Sequence, residues 1–176
     1  MMNFNGRPDG QMSELEKRVL YATVLIARPS SAIEIGTWKG GGSTRIISSA
    51  LIENGHGNLR TFEINSDFYA QAVALYHGEL APLAGVISFY RMDFMDYSLS
   101  GGVDFVLFDG DENAEATLAQ VRKVEPLLAH GSVLAFHDWR SNKARLAEPY
   151  LASKQNEYYP LCILQSDTGF ATWLKV

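Results

Sequence analysis

The stretch that decides the fold is Ile33–Ile46, "IEIGTWKGGGSTRI". Its first residues carry an acid between two β-branched residues and predict a short buried strand. Four glycines follow, at Gly36, Gly40, Gly41 and Gly42, before "STRIISSALIEN", which predicts a helix ended by Asn54 and Gly55. Glycine costs conformational entropy, so a loop this rich in glycine indicates a backbone that a ligand approaches closely.

The same alternation of strand and helix continues on both sides of this stretch. Ser13 and Glu16 form a capping-box pattern that starts a first helix, which runs to about Arg28. Later strands are predicted at "LRTFEI", "VISFYRM", "VDFVLFD" and "GSVLAFHD", with helices at "SDFYAQAVALYH" and "NAEATLAQVRKVEPLLAH", the last bent or ended near Pro126.

The C-terminal part breaks the alternation. "YPLCILQ" and "GFATWLKV" predict two strands separated only by "SDT", which should pair as an antiparallel hairpin. The sequence therefore predicts an α/β fold: a doubly wound, seven-stranded, mostly parallel sheet with a reversed C-terminal strand.

Length and charge narrow the class of protein. A chain of 176 residues fits a single domain spanning 1–176. A net charge of −5 argues against nucleic acid and against anionic membranes as partners, which leaves small or neutral molecules. The start "MMNFNGRPDGQ" lacks the basic and apolar regions of a secretory signal, which predicts a cytoplasmic protein.

Three classes of ligand use a glycine loop between a strand and a helix. A phosphate-binding P-loop needs a lysine directly before the Ser/Thr, whereas Lys39 precedes the glycines, so ATP and GTP are disfavoured. A dinucleotide loop needs Gly-x-Gly-x-x-Gly, but three residues separate Gly36 from Gly40. This spacing weakens the case for NAD without removing it.

Glu34, Gly36 and Gly40 match Glu/Asp-x-Gly-x-x-x-Gly, the first motif of the class I S-adenosylmethionine-dependent methyltransferases. The chain resembles this family over nearly its whole length, including the reversed terminal hairpin. "EIGTWKGGGS" is similar to the form found in small O-methyltransferase branches. The loop carries one more glycine than the motif, which leaves open whether Gly40, Gly41 or Gly42 meets the cofactor.

The resemblance implies that the loop and the next strand ends bind S-adenosylmethionine. Glu63, at the end of "FEI", suits the two ribose hydroxyls, because one carboxylate accepts both through its two oxygens. Asp93 is expected near the adenine amino group, with Asp96 as a competing choice. The residues predicted to bind the cofactor are Glu34, Gly36, Thr37, Trp38, Gly40, Gly41, Ser43, Glu63, Asp93 and Asp109.

Asp109 and the pair His137-Asp138 end neighbouring strands of the predicted sheet, so they are expected to meet at its rim. In metal-dependent branches of the family, the matching positions hold a divalent cation. The resemblance implies Asp109, His137 and Asp138 as ligands of Mg²⁺ or Mn²⁺, with Asp109 and His137 as catalytic residues and His137 as the base. Glu112 stands where catechol-type members have a lysine, so the chain looks more like a bacterial branch linked with sugar or natural-product methylation.

The function predicted from these residues is methyl transfer from S-adenosylmethionine to a hydroxyl of a small molecule or glycan, assisted by a metal. A homo-oligomer is a further expectation, because a second copy can complete the acceptor site. Two alternatives stay open: a sensor or partner subunit that binds S-adenosylmethionine without catalysis, and an NAD-linked oxidoreductase.

Overall fold

The structure, a computed structural model, describes residues 11–110 and 112–176. The N-terminal stretch from which a cytoplasmic location is predicted lies mostly outside the described residues. A single sheet crosses the molecule. Its strands are β1 (Ser31–Ile35), β2 (Asn58–Phe62), β3 (Ile87–Tyr90), β4 (Val103–Phe108), β5 (Leu128–His137), β6 (Tyr158–Leu164) and β7 (Phe170–Lys175).

Helices connect most of these strands. Those of the described residues are α1 (Glu14–Ala27), α2 (Ser43–Asn54), α3 (Ser66–His77), α4 (Ala114–Val124) and α5 (Ala144–Ala152). Ser13 caps α1 through the predicted capping box with Glu16. Helix α4 ends at Val124, because a 3₁₀ turn containing Pro126 follows it.

The strand order is β3-β2-β1-β4-β5-β7-β6. Strands β1 to β5 pair in parallel, whereas β7 pairs antiparallel with both β5 and β6. The predicted doubly wound sheet with one reversed strand is therefore confirmed. The chain order reverses between β1 and β4, which is the place where open α/β sheets bind ligands.

Two details differ from the predicted elements. The end of the predicted fourth helix, Leu128–His130, belongs to β5, because Pro126 interrupts the helix and Leu128 pairs with Val103 of β4. Helix α5 has no counterpart among the predicted elements. It contains Pro149, a residue that normally argues against a helix interior.

Hydrophobic side chains fill both faces of the sheet. One cluster joins alternate strand residues such as Ile33 to α4 and α5 through Val121 and Leu151. The other joins Ala32 and its neighbours to α1 and α2. Within residues 11–110 and 112–176, the helices are too short or too polar to cross a membrane.

Candidate functional site

A pocket of about 410 Å³ opens at the carboxyl ends of the parallel strands. Residues that follow β1, β2 and β4, together with the end of β5, line it, so four strand ends converge on one space. The described lining residues are Gln11, Met12, Gly36, Thr37, Trp38, Gly42, Ser43, Glu63, Ile64, Asn65, Phe68, Asp109, Gly110, Glu112, His137 and Asp138. This size is typical of sites for small molecules and cofactors.

Gly36 lies where the loops after β1 and β4 meet. Its φ of +98° is in the region that favours glycine, and a Cβ added there would lie 2.6 Å from the Asp109 carbonyl oxygen. The amide nitrogen of Asp109 donates a 2.9 Å hydrogen bond to the carbonyl of Ile35. The glycine is therefore required by the close approach of two backbone segments, and it leaves the pocket open beside them.

The other glycines of the loop have different surroundings. Gly40 packs away from the pocket, because a Cβ there would meet Ala72 at 3.0 Å, and its carbonyl accepts a 3.0 Å hydrogen bond from the Tyr76 hydroxyl. Gly42 lines the pocket, at the N-cap of α2, whereas Gly40 and Gly41 are not among the described lining residues. Of the three glycines left open by the motif, the geometry favours Gly42.

Glu63 holds two backbone segments together at the pocket. One carboxylate oxygen accepts a hydrogen bond from the amide of Trp38 and the other from the amide of Asn65, each at 2.8 Å. Trp38 has a φ of +48°, which is strained for a residue with a side chain. Glu63 is 8% exposed and faces the pocket, as the predicted ribose-binding role requires.

Glu34, the acid of the glycine motif, lies beneath the loop and is completely buried. Its Oε2 accepts hydrogen bonds of 2.6 Å from the hydroxyls of Thr44 and Thr61, which join β1 to α2 and β2. Burial raises the pKa of the Glu34 carboxyl to about 7, against the hydrogen bonds from Ser43, Thr44 and Thr61, which lower it. Glu34 supports the loop and is not among the described lining residues.

This raised pKa gives a testable pH dependence of stability. In the unfolded chain a glutamate releases its proton at about pH 4.3, whereas folded Glu34 keeps its proton up to about pH 7. The contribution of Glu34 to the free energy of unfolding is therefore fully present below about pH 4.3 and is lost as the pH rises toward about 7. We expect the difference in unfolding free energy between wild type and Glu34→Gln to fall by on the order of 3 kcal/mol across this window. Urea denaturation at a series of pH values measures it, and a difference independent of pH contradicts the assignment.

The predicted polar cluster at the rim is present. The Nδ1 atom of His137 lies 2.9 Å from an Asp109 oxygen and 3.3 Å from an Asp138 oxygen. Burial lowers the pKa of His137, but the hydrogen bonds to Asp109 and Asp138 outweigh it and raise the pKa to about 10. Burial likewise raises the pKa of Asp138, and its contacts with His137 and Lys143 bring it down to about 2.

An imidazole with a pKa near 10 carries its proton at neutral pH. The role of His137 as the base stays a prediction. The geometry places His137 against Asp109, whose carboxylate it holds at the edge of the pocket.

The opposite side of His137 faces α1 and the β6–β7 hairpin. Its Nε2 atom lies 3.3 Å from the Thr168 hydroxyl and 3.8 Å from the Glu16 carboxylate. Glu16 is completely buried and also accepts hydrogen bonds from the hydroxyls of Ser166 and Thr168. Burial raises the pKa of Glu16, but the hydrogen bonds from Ser166 and Ser13 and the nearby His137 bring it below its usual value.

Lys143 supplies a second cation to the cluster. Its ammonium lies 3.3 Å from an Asp138 oxygen and 3.8 Å from oxygens of Asp109 and Glu112, and the side chain is 1% exposed. The donor atoms of Asp109, His137 and Asp138 lie within 4.8 Å of one another, and two carboxylates with an imidazole suit Mg²⁺ or Mn²⁺ chemically. Two buried cations already balance these carboxylates, so the residues as arranged do not fit a divalent ion.

The remaining predicted residues divide into two groups. Thr37, Trp38 and Ser43 line the pocket as expected. Asp93 and Asp96 are exposed and lie outside the described lining, in and beside the 3₁₀ turn Phe94–Asp96. The carboxylate of Asp93 accepts a 2.8 Å hydrogen bond from the Met95 amide, the turn-capping role that a strand-end Asp often has.

Several residues of the site have no counterpart in the sequence prediction as site residues. Lys143 follows His137 by six positions, and its burial depends on α5, which the sequence pattern does not predict. Glu16 is predicted only as a helix cap. Asn65 and Phe68 belong to the first turn of α3 and its cap, directly after Glu63, and this adjacency is the signal that points to them.

Solved structures of other proteins share the fold of this chain. The chain resembles the solved O-methyltransferase TomG from Streptomyces achromogenes, which is involved in tomaymycin synthesis and is bound to SAM (TM-score 0.75, 19% identity, 96% of this chain and 83% of that chain). It also resembles the O-methyltransferase from Bacillus cereus in complex with SAH (TM-score 0.76, 18% identity, 96% of this chain and 84% of that chain). A third similar structure is cofactor-bound Rv0187 from MTB (TM-score 0.77, 20% identity, 96% of this chain and 83% of that chain). These likenesses show the fold.

No curated protein sequence matches this chain. The sequence model of a family described as a methyltransferase domain matches residues 33–139, from β1 through the end of β5. The matched region contains the glycine loop, Glu63, Asp109 and the His137-Asp138 pair, which are the residues that build the pocket. The chain therefore belongs to this methyltransferase domain family, as its glycine motif predicted.

Proposed function

We propose that this protein transfers a methyl group from S-adenosylmethionine to a hydroxyl oxygen of a small molecule or glycan. The observation that carries the proposal is the pocket of about 410 Å³ at the switch point of the sheet, between the glycine loop and Glu63, in a chain of the methyltransferase family. The likeness to solved O-methyltransferases, two of them with SAM or SAH bound, supports oxygen as the acceptor atom.

The charges of the pocket suit this cofactor. Glu63, Asp109, Glu112 and Asp138 face the space, and carboxylates favour the ammonium and sulfonium groups of S-adenosylmethionine. The N-terminus of α2, at Gly42 and Ser43, lines the same space and favours the cofactor's carboxylate. The site thus offers a partner for each charged group of the ligand.

The reaction moves the methyl carbon from sulfur to oxygen in one displacement. The S–C bond breaks as the O–C bond forms, the sulfur keeps the bonding electron pair and becomes a neutral thioether, and the hydroxyl proton passes to the Asp109 carboxylate. Holding both reactants in line supplies roughly 7–11 kcal/mol of the required barrier reduction. Asp109 is the proposed group nearest the reacting oxygen, because it lines the pocket with a partly exposed carboxylate, and His137 holds that carboxylate in place.

Titration calorimetry tests the cofactor. We expect S-adenosylmethionine and S-adenosylhomocysteine to bind one site each and to compete, while NAD gives no heat. Tight binding of NAD, with no response to the sulfonium, would overturn the proposal in favour of an oxidoreductase.

A second measurement separates an enzyme from a sensor that binds the cofactor without catalysis. Formation of S-adenosylhomocysteine is followed in the presence of a panel of hydroxylated acceptors, with wild type and Asp109→Asn compared. An enzyme loses turnover in the variant by a far larger factor than it loses affinity for the cofactor, because Asp109 is proposed to lie beside the reacting oxygen as well as the cofactor. Cofactor binding without product from any acceptor favours the sensor.

Other parts of the sequence prediction stay predictions. They are a single domain over 1–176, a cytoplasmic location, a homo-oligomer, a glycan as acceptor, and assistance by Mg²⁺ or Mn²⁺ bound to Asp109, His137 and Asp138. The buried ammonium of Lys143, which contacts Asp109 and Asp138, bears directly on the predicted metal.

A further inference from the structure

We propose that Lys143 is a built-in counter-ion that takes the place of a divalent metal at the acidic rim of the pocket. The proposal assigns Lys143 a positioning role: its ammonium holds Asp109 and Asp138 in the orientation that a bound ion would otherwise impose. It rests on the proposed function for its catalytic meaning, but its geometry and its test stand without it.

The first argument is the position of the ammonium. It lies 3.3 Å from Asp138 Oδ2 and 3.8 Å from Asp109 Oδ1 and Glu112 Oε1, so it faces three carboxylates from the segments that follow β4 and β5. Asp109 and Asp138 are also two of the three residues whose donor atoms lie close enough to share a metal ion. A divalent ion bound by this pair and the ammonium would repel each other at short range.

The second argument is burial. The Lys143 side chain is 1% exposed, and lysine is almost never buried to this extent unless it is paired. An ammonium that leaves its carboxylates here must either cross protein or remain as an uncompensated buried charge. The side chain is therefore a fixed part of the cluster, unlike a surface lysine that an arriving ion displaces at little cost.

The third argument is local geometry that fixes the chain around Lys143. Asp138 has a left-handed φ of +55°, and its carbonyl accepts a 2.9 Å hydrogen bond from the Ser141 amide. The Ser141 hydroxyl in turn accepts a 3.1 Å hydrogen bond from the Lys143 amide. The turn after β5 thus brings Lys143, at the start of α5, back to the carboxylate from which the turn begins.

The fourth argument is the state of the third donor. His137 points Nδ1 at Asp109 and Asp138, and Nε2 at Thr168 and Glu16. Side chains therefore contact both ring nitrogens, and a metal ion would have to displace one of these contacts to reach His137. The Lys143 ammonium thus meets Asp109 and Asp138 where the third donor already has partners on both sides.

Binding of Mn²⁺ alone, measured by electron paramagnetic resonance of the free ion, tests the proposal on the full chain. We expect wild type to take up no Mn²⁺ at micromolar concentrations and Lys143→Met to bind it at least about tenfold more tightly, because the acidic cluster then lacks its cation. Lys143→Arg, which keeps the charge, should behave as wild type. Lys154→Met is the matched control, since it removes a lysine paired with Glu125 at 2.6 Å, away from the pocket lining.

Two results would overturn the proposal: tight Mn²⁺ binding by wild type, or no gain in the Lys143→Met variant. If Lys143→Met does not fold, Lys143→Gln replaces it. Tight Mn²⁺ binding by wild type would in any case overturn the proposal on its own. Failure of the proposed function is seen separately, as absence of S-adenosylmethionine binding in calorimetry, which leaves the Mn²⁺ result unaffected.

Discussion

Gly36→Ala is expected to lower the free energy of unfolding by about 2–5 kcal/mol, the sum of a left-handed backbone at an L-residue and overpacking against a rigid neighbour. The added Cβ would lie 2.6 Å from the Asp109 carbonyl oxygen and 2.7 Å from the Gly110 Cα atom. Both are backbone atoms at the end of β4, so neither side can yield by rotating a side chain.

Gly55→Ala is the matched control for this prediction. Gly55 also has a positive φ, of +73°, but a Cβ there meets nothing within 4 Å. It should therefore cost only the backbone contribution, about 1–2 kcal/mol. Chemical denaturation followed by circular dichroism measures both variants. Equal losses for the two would mean that the contact between the β1 and β4 loops does not constrain residue 36.

Glu63→Gln is expected to weaken binding of S-adenosylmethionine by about 10- to 100-fold, which corresponds to losing one or more hydrogen bonds to a charged group. The carboxylate accepts from the amides of Trp38 and Asn65 through its two oxygens. A glutamine side chain has one acceptor oxygen and presents an NH₂ group to the other amide. The variant thus loses its negative charge beside the pocket and also loosens a loop whose backbone is strained at Trp38.

Asp93→Asn provides the comparison for Glu63→Gln in calorimetry. Both residues are acids that follow neighbouring strands, but Asp93 is exposed, lies outside the described lining and caps a turn that asparagine also caps. A change below about threefold is expected for it, within the usual effect of a surface substitution. If the two variants lose affinity equally, the loss reflects general charge and the assignment of Glu63 to the cofactor is wrong.

The fold could be predicted from the sequence because residues typical of turns and helix ends bound the predicted strands. The glycine after Ile35, the capping box at Ser13 and the closely spaced pair of terminal strands all coincide with observed element ends. Helix α5 is different, because Pro149 conceals it and its support comes from packing of Ala147 and Leu151 on the core. The buried residues Ala144, Ala147 and Leu151 do recur at helical spacing, but Pro149 in the same segment argues against a helix interior.

The site residues that could be predicted from the sequence are those at the ends of strands. Asp109, His137 and Asp138 end strands, and their convergence follows from a parallel sheet. The other side of the imidazole faces Glu16 and Thr168, which lie far from His137 in sequence and meet it only in the folded chain. Lys143 lies only five positions after Asp138, but its burial depends on α5, which the sequence pattern does not predict. Sequence spacing therefore indicates the three donors of the rim but not the buried side chains around them.

The contacts of His137 also determine how much of this chain must be kept when its site is transferred into another protein. The family match spans 33–139, yet Glu16 comes from α1, Thr168 from the terminal hairpin and Lys143 from the start of α5. A fragment trimmed to the matched region would keep the glycine loop and every strand-end acid of the pocket. It would remove Glu16 and Thr168 from the far side of His137 and Lys143 from Asp138, so grafts or chimaeras need the flanking segments as well.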